Sequence, residues 1–373
     1  MRITANMTAA NSLYNIQLGR GKLDSIQEVV SSGQNVNRPS DDPISSRRLL
    51  EVSDDLKAMD QYASNISKAT SWLDFTSTAL NGGSAILSEA RKIAARLNTG
   101  SDDPEIRQSA RDQLVDLKKQ LVDMANTQFG DQYLFGGVNN AVSPFLKDMT
   151  GDRTSGSNTV SNVDVTELKA GMRVSGHGIP DGTFIGAVGA NSFTLVDSAS
   201  AAVNATVTTT AFTGNGLNIY RGDSTQFEIE IGQGADQKLN VTGDRLFMGQ
   251  GTNPSYGNVD IMKAIDDMIV AVGSSDPLNP SDVAAISTAS QTLQNGTKQF
   301  NIVTSDILSR TTRLDNMRTL NENIKNTLLS VFTGIQEVDY AKMGVQLNNQ
   351  KVAFEASLSA TASLSRLSLL DYL

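Results

Sequence analysis

The chain has 373 residues and a formal net charge of −9, with no cysteine and a single histidine. Only 39% of its residues are hydrophobic and 5% aromatic, which suits long thin helices better than one thick core. The acidic balance argues against a nucleic-acid partner, which would need clustered Lys and Arg to neutralise phosphates, and the lack of cysteine excludes disulfides, thiolate metal sites and cysteine catalysis.

The first residues, Met1-Arg2-Ile3-Thr4-Ala5-Asn6, lack the charged region and apolar run of roughly 7 to 15 residues that a secretory signal requires. No run of about 20 apolar residues could span a bilayer, so no membrane partner is expected, and a role outside the cell would need another export route. The eight prolines fall between periodic segments, where a missing amide does least harm. From Leu49 one register runs through Val52, Leu56, Met59, Ala63, Ile66, Thr70, Leu73, Ser77, Leu80, Ser84 and Leu87 in alternating steps of three and four. That spacing predicts a long helix with a heptad seam. After Asp102-Asp103-Pro104, a cap and first turn, Leu114, Leu117, Leu121 and Met124 predict a second, shorter amphipathic helix.

Between about 143 and 257 the pattern changes to short alternating runs rich in Gly, Asn, Thr and Val, which predicts strands. Candidates are Met172 to Ser175, Thr183 to Ala187, Ser192 to Val196, Ala205 to Thr210, Leu217 to Arg221, Gln226 to Ile231 and Lys238 to Val241.

Beyond Ser281 no proline occurs, and a register passes through Leu293, Phe300, Val303, Ile307, Leu314, Met317, Ile324, Leu328, Val331, Ile335, Val338, Val345, Val352 and Ala356. A strict seven-residue repeat forces a left-handed supercoil with a partner helix. Arg310, Asn321, Lys342 and Asn349 interrupt the seam. Two readings stay open: solvent-facing positions at local register breaks, or polar seam residues that select register and partner.

Few residues suggest chemistry. His177, in Gly176-His177-Gly178-Ile179-Pro180-Asp181-Gly182, has no nearby nucleophile and reads as part of a turn. Arg221-Gly222-Asp223 has the order of an adhesion tripeptide but lies between two alternating runs, where a hairpin turn is the better reading. The pairs Asp41-Asp42, Asp54-Asp55 and Asp102-Asp103 fit helix capping or solvation rather than metal binding. Trp72 and Phe75, beside the seam, read as core. No catalytic, cofactor or metal site is expected, and the chain does not read as an enzyme.

Ser31-Ser32-Gly33 followed by Asn35-Val36-Asn37-Arg38-Pro39-Ser40-Asp41-Asp42-Pro43 resembles the turn after the first helix of the flagellin superfamily. The Arg-Pro-Ser-Asp-Asp-Pro form is similar to the hook-associated members of that superfamily. So are Gly130-Asp131-Gln132-Tyr133-Leu134-Phe135-Gly136-Gly137 with Pro144-Phe145, Tyr220-Arg221-Gly222-Asp223, Gly243-Asp244-Arg245-Leu246-Phe247 and the ending Leu367-Ser368-Leu369-Leu370-Asp371-Tyr372-Leu373. The segment from about 152 to 213 departs from the pattern and resembles a small β module inserted in surface and phage-tail proteins.

The expected fold is mainly α with β insertions, elongated, with the N- and C-terminal helices pairing as a coiled-coil shaft around a β-rich middle. Residues 1–40 with 334–373 would form a terminal assembly domain, 41–150 with 214–333 a helical shaft domain with a β-hairpin portion, and 151–213 an inserted β domain. The expected assembly contacts are Ile3, Met7, Tyr14, Val331, Val338, Val345, Val352, Leu370 and Leu373. The resemblance implies a structural subunit joining hook to filament in the extracellular flagellum. It also implies export by the flagellar type III apparatus without a cleaved signal, and partners that comprise further copies of itself, a hook-side hook-associated protein, flagellin and a cytoplasmic chaperone on the C-terminal helix. Filament flagellin is the alternative, and a coiled-coil adhesin or stalk a more distant one. Ordering a residue costs about 1 to 2 kcal/mol, so two thin terminal helices are expected to be poorly ordered in the monomer and to pack only in the assembled tube.

Overall fold

The computed structural model describes residues 5–98, 103–206, 211–212, 216–249, 258–273 and 280–370. In chain order, α1 (Ala5–Ser32), α2 (Pro43–Asn98) and α3 (Pro104–Ala125) precede the short strands β1 (Gln128–Phe129) and β2 (Gln132–Tyr133). Seven strands follow: β3 (Asp152–Thr154), β4 (Thr159–Ser161), β5 (Arg173–Gly176), β6 (Phe184–Val188), β7 (Ser192–Val196), β8 (Ala211–Phe212) and β9 (Leu217–Tyr220). The hairpin strands β10 (Glu228–Gly232) and β11 (Ala235–Lys238) lead to α4 (Gly243–Phe247), α5 (Ile261–Val272), α6 (Pro280–Gln336) and α7 (Tyr340–Leu370). The mainly helical fold with a β-rich middle is the one expected. Two compact units result, one made of residues 1–62 and 319–373 and the other of 63–318, with α2 and α6 contributing to both.

The larger unit holds the main core. Leu73, Leu80 and Leu87 of α2, Leu114 and Leu121 of α3, Ile265 and Met268 of α5, and Leu293, Phe300, Val303, Ile307 and Leu314 of α6 are buried together. Both seams expected in this stretch are therefore present, and burying each such side chain contributes about 1.5 to 3 kcal/mol. Gly83 lets the helices approach: a Cβ there would meet Phe300 Cε2 at 2.7 Å and the end of Met124. Asp103 caps α3, accepting from the Glu105 amide at 2.9 Å, and Pro104 occupies its first turn, as the sequence predicts. Trp72 is core, edge-on to Phe129 and Phe227, whereas Phe75 is half-exposed against Phe129.

The second core lies under an antiparallel sheet of order β8-β3-β4-β7-β6-β5-β9. Alternation decides its faces: Phe193 and Leu195 of β7 turn inward with Val160, Val174, Ile185 and Ile219, while Ser192 and Thr194 lie on the other face. Several expected strands shift. The run 238–241 is not a strand, because the hairpin turns earlier, at Gly232 to Ala235 with Gly234 at φ 67°, and β11 ends at Lys238. Residues 207–210 of the expected strand at 205–210 lie outside the described residues, and 205–206 form no strand. Arg221-Gly222-Asp223 is not a hairpin turn, since β9 and β10 belong to different sheets and the tripeptide links them. Helix α5 was not expected, although Lys263, Asp266 and Asp267 give its otherwise apolar run one polar stripe at helical spacing.

Candidate assembly surface

The smaller unit is built around the turn between α1 and α2. Gly33 ends α1 at φ 69°, donating its amide to Val29 O at 3.0 Å, a left-handed position that glycine takes without strain. Tyr340 Oη stands 2.7 Å from where a Cβ on Gly33 would be. Val36 is buried. Arg38 pairs with Glu28 of α1 at 2.9 Å, and its amide donates to Asp41 Oδ2 at 2.9 Å. Asp42 then caps α2, accepting from the amides of Ile44 and Ser45 at 3.1 Å each and from the Ser45 hydroxyl at 2.7 Å, and those bonds hold its carboxyl below the usual range. Pro43 fills the first helical position, where no amide bond is lost. Gly33 thus stops one helix, and Asp42 with Pro43 starts the next.

A matching break falls between α6 and α7. Although no proline forbids a continuous helix there, residues 337–339 are not helical: the Asn35 amide donates to Gln336 O at 2.7 Å, and Gln34 bridges Glu337. Asp339 restarts the helix by accepting from the amides of Ala341 and Lys342.

Beyond these breaks α1 and α7 pack antiparallel, and each has two faces. Along α1 the half-buried positions are Ser12, Ile16, Gly19, Leu23, Ile26, Val29 and Val30, heptad-spaced but for Val29, and Gly33 follows at the next heptad position. Along α7 they are Met343, Leu347, Gln350, Phe354, Ser357 and Thr361, another. Phe354 sits at Gly19, where a Cβ would come within 3.3 Å of its ring, and Gln350 Nε2 donates to Gly19 O at 3.2 Å. The helices therefore pair within one chain, not solely in an assembly.

The expected contact residues divide. Val338 is buried and Val331 half-buried, but Met7, Tyr14, Val345 and Val352 are exposed, the last three by about 60%. The seam on α7 is thus not the valine register, because the break at 337–339 resets the helical phase after Val338. Ile3 and Leu373 lie outside the described residues, and Leu370 ends α7 with its side chain undescribed. Of the polar interruptions, Asn321 is buried and Arg310 half-buried against Asp306 and Lys238 O, whereas Lys342 and Asn349 face solvent. The solvent-facing reading thus holds for Lys342 and Asn349, while Asn321 and Arg310 are covered. At 3.6 residues per turn, Tyr14, Leu18 and Gly21 lie on the side of α1 opposite its seam, as Val345 and Val352 do on α7. Tyr14, Gln17, Leu18, Gly21, Lys22 and Ser25 line an open groove of ≈ 580 Å³ whose edges are Ile26 and Gln350 of the seam.

The remaining polar clusters hold the β region to α5. His177 Nδ1 lies 2.7 Å from Asp267, Lys263 pairs with Asp181 at 2.9 Å, and Asp266 takes both Lys118 and Asn218 at 2.6 Å. Buried Arg153 donates to His177 O at 2.7 Å; burial lowers its guanidinium to about 10, and nearby Asp266 opposes that shift. Asp260 caps α5 through the Lys263 amide at 2.8 Å, and burial pushes its carboxyl up to about 6. Of these residues the sequence singles out only His177, as the single histidine, and its turn position is as expected. Arg221 is tied to Ser143 and Glu167, and Asp223 to Thr225, which fixes the tripeptide as a link. Among the described residues no group of three or more His, Asp or Glu could hold a metal, and no helix is long and apolar enough to cross a membrane.

Residues 3–140 match the bacterial flagellin N-terminal helical region. The chain is 25% identical over 162 residues to flagellar hook-associated protein 3 of Salmonella typhimurium, covering 43% of this chain and 51% of that one. It is 26% identical over 138 residues to a flagellin of Clostridium tyrobutyricum, covering 37% of each. The chain thus spans about half the length of the hook-associated relative. In fold it is similar to a structure described as a flagellar hook-associated protein from Vibrio parahaemolyticus, with a TM-score of 0.55 and 17% identity over 80% of this chain and 100% of that one. Residues 3–140 are therefore similar to the flagellin N-terminal helical region, and the fold is similar to that of the Vibrio parahaemolyticus structure.

Proposed function

We propose that this chain is a non-enzymatic structural subunit of the bacterial flagellum, joining hook to filament by self-assembly through its terminal helices. The observation that carries the reading is the match over residues 3–140 together with the turn from Arg38 to Pro43, in which Arg38 ties back to α1 and Asp42 caps α2. The outward apolar residues of α1 and α7 support self-assembly, since exposed apolar patches mark interaction surfaces. In this reading residues 1–40 with 334–373 are the assembly domain, and 151–213 is an outward module that leaves it intact. Neighbours are further copies, a hook-side hook-associated protein and the first flagellins. Before export through the flagellar type III apparatus, a cytoplasmic chaperone covers the C-terminal helix.

Deleting the gene should leave hooks without filaments and flagellin in the medium, whereas normal filaments would refute the junction role. Filament flagellin is the second reading, favoured by the similarity to the Clostridium tyrobutyricum flagellin. Finding many copies along each filament, rather than a few at its base, would select it.

A further inference from the structure

We propose that Lys118, Asp266 and Asn218 form a self-ligating site, in which the Lys118 amine displaces ammonia from the Asn218 carboxamide and leaves a side-chain amide between α3 and β9. One carboxylate holds both reactants: Lys118 Nζ lies 2.6 Å from Asp266 Oδ1, and Asn218 Nδ2 donates to Asp266 Oδ2 at 2.6 Å. Because Nδ2 is bonded to Cγ, the same contact brings the carbon to be attacked to the carboxylate that holds the amine. Rigid elements present all three groups, since Lys118 and Asp266 lie within helices and Asn218 is paired with Ser175 inside the sheet.

The site is also covered where comparable pairs are open. The Lys118 side chain is 16% exposed and that of Asp266 3%, and Asn218 is buried, whereas every other described lysine–carboxylate pair has at least one side chain more than half exposed. The Gly216 backbone backs the carboxylate, a Cβ there standing 3.2 Å from Asp266 Cγ. Excluding water removes the solvent that would compete with the amine for the carbonyl carbon. Buried Arg153 interacts with Asp266, so the carboxylate keeps a counter-charge once Lys118 has become an amide. A cleft of ≈ 680 Å³, bordered by all three side chains, gives the released ammonium a way out.

The step balances without an oxidant or co-reactant. Asp266 accepts a proton from the Lys118 ammonium, Nζ attacks Asn218 Cγ, and the tetrahedral centre collapses as the Cγ–Nδ2 bond breaks. The two protons lost from Nζ pass through Asp266 to Nδ2, so one ammonium and one carboxamide become one amide and one ammonium ion. In a chain without cysteine this bond supplies a covalent tie that a disulfide cannot, and it is independent of the junction role.

Mass spectrometry of the purified full chain tests the bond. The expected result for the wild type is an intact mass one ammonia below that of its sequence and, after proteolysis, a branched peptide joining Lys118 to Asn218. Lys118→Arg, Asn218→Ala and Asp266→Asn chains, checked for folding by circular dichroism, should each keep their full sequence mass. A wild-type chain at its full sequence mass, with no branched peptide, would overturn the proposal whether or not the variants fold. So would loss of ammonia that maps to a single unbranched asparagine, as in succinimide formation, or loss of water with Lys118 joined to Asp266 instead. A branched peptide formed as completely by Asp266→Asn as by the wild type would overturn the proton relay through Asp266.

Discussion

The two units use the same heptad spacing but bury it to different depths. In residues 63–318 the seam side chains of α2 and α6 are covered on several sides by α3, α5 and the aromatic cluster of Phe135, Phe145 and Phe247, so Leu73, Leu80, Phe300 and Leu314 are fully enclosed. In residues 1–62 with 319–373 the only buried hydrophobic residues among those described are Val36, Val52 and Val338, two of which lie in turns rather than on a seam. Two helices alone cannot cover each other's flanks. Periodicity declares that a helix wants a partner, but burial depends on how many partners surround it. The terminal pair leaves its outer faces open, whereas the larger unit encloses its seam.

Substitutions can break or sharpen this contrast. The largest effect is expected from Leu314→Asp, which buries an unpaired charge and should cost on the order of 4 kcal/mol or more, abolishing cooperative melting of the larger unit. Leu56→Asp, at a half-buried position of the smaller unit, should be milder by thermal melting. Phe300→Ala should cost about 3 to 5 kcal/mol by denaturant titration.

Asp260→Asn probes the larger unit in the opposite sense. The folded carboxyl titrates at about 6 against an ordinary 3.8, so the folded state holds a proton between those values that the unfolded state releases. That stability is present below about pH 4 and lost as pH rises through 6. The variant, which retains a capping side chain, should exceed the wild type by about 2 to 3 kcal/mol at pH 7, and the gap should close on acidification. In the terminal pair, Phe354→Ala removes only a half-exposed ring and should cost about 1 kcal/mol in the free chain, well below Phe300→Ala. Equal costs at these two phenylalanines would erase the contrast between the units.

The legible parts of the fold were those where one partner decides the pattern. Leucines at alternating steps of three and four revealed the α2 and α6 seams, and Asp103-Pro104 marked the start of α3. On α7 two apolar stripes compete, and the regular valines outshone the mixed set of Met343, Gln350 and Phe354 that packs on α1. Only the tertiary fit of Phe354 against Gly19, and the phase shift at residues 337–339, select the inner face. Helix α5 carries a legible polar stripe at Lys263, Asp266 and Asp267 but is only 12 residues long and lies beside the strand-rich stretch. Arg153, Asp260 and Asp266 could not be found from the sequence, since residues so far apart are brought together by the docking of the β region on α5.

The most direct test of an incomplete terminal unit is amide hydrogen exchange on the free chain and on hook material containing it. The account predicts faster exchange in α1 and α7 of the free chain than over Leu73 to Leu97 of α2, and a rise in protection of the terminal pair on assembly. Equal protection of the terminal pair and the larger unit in the free chain would contradict it.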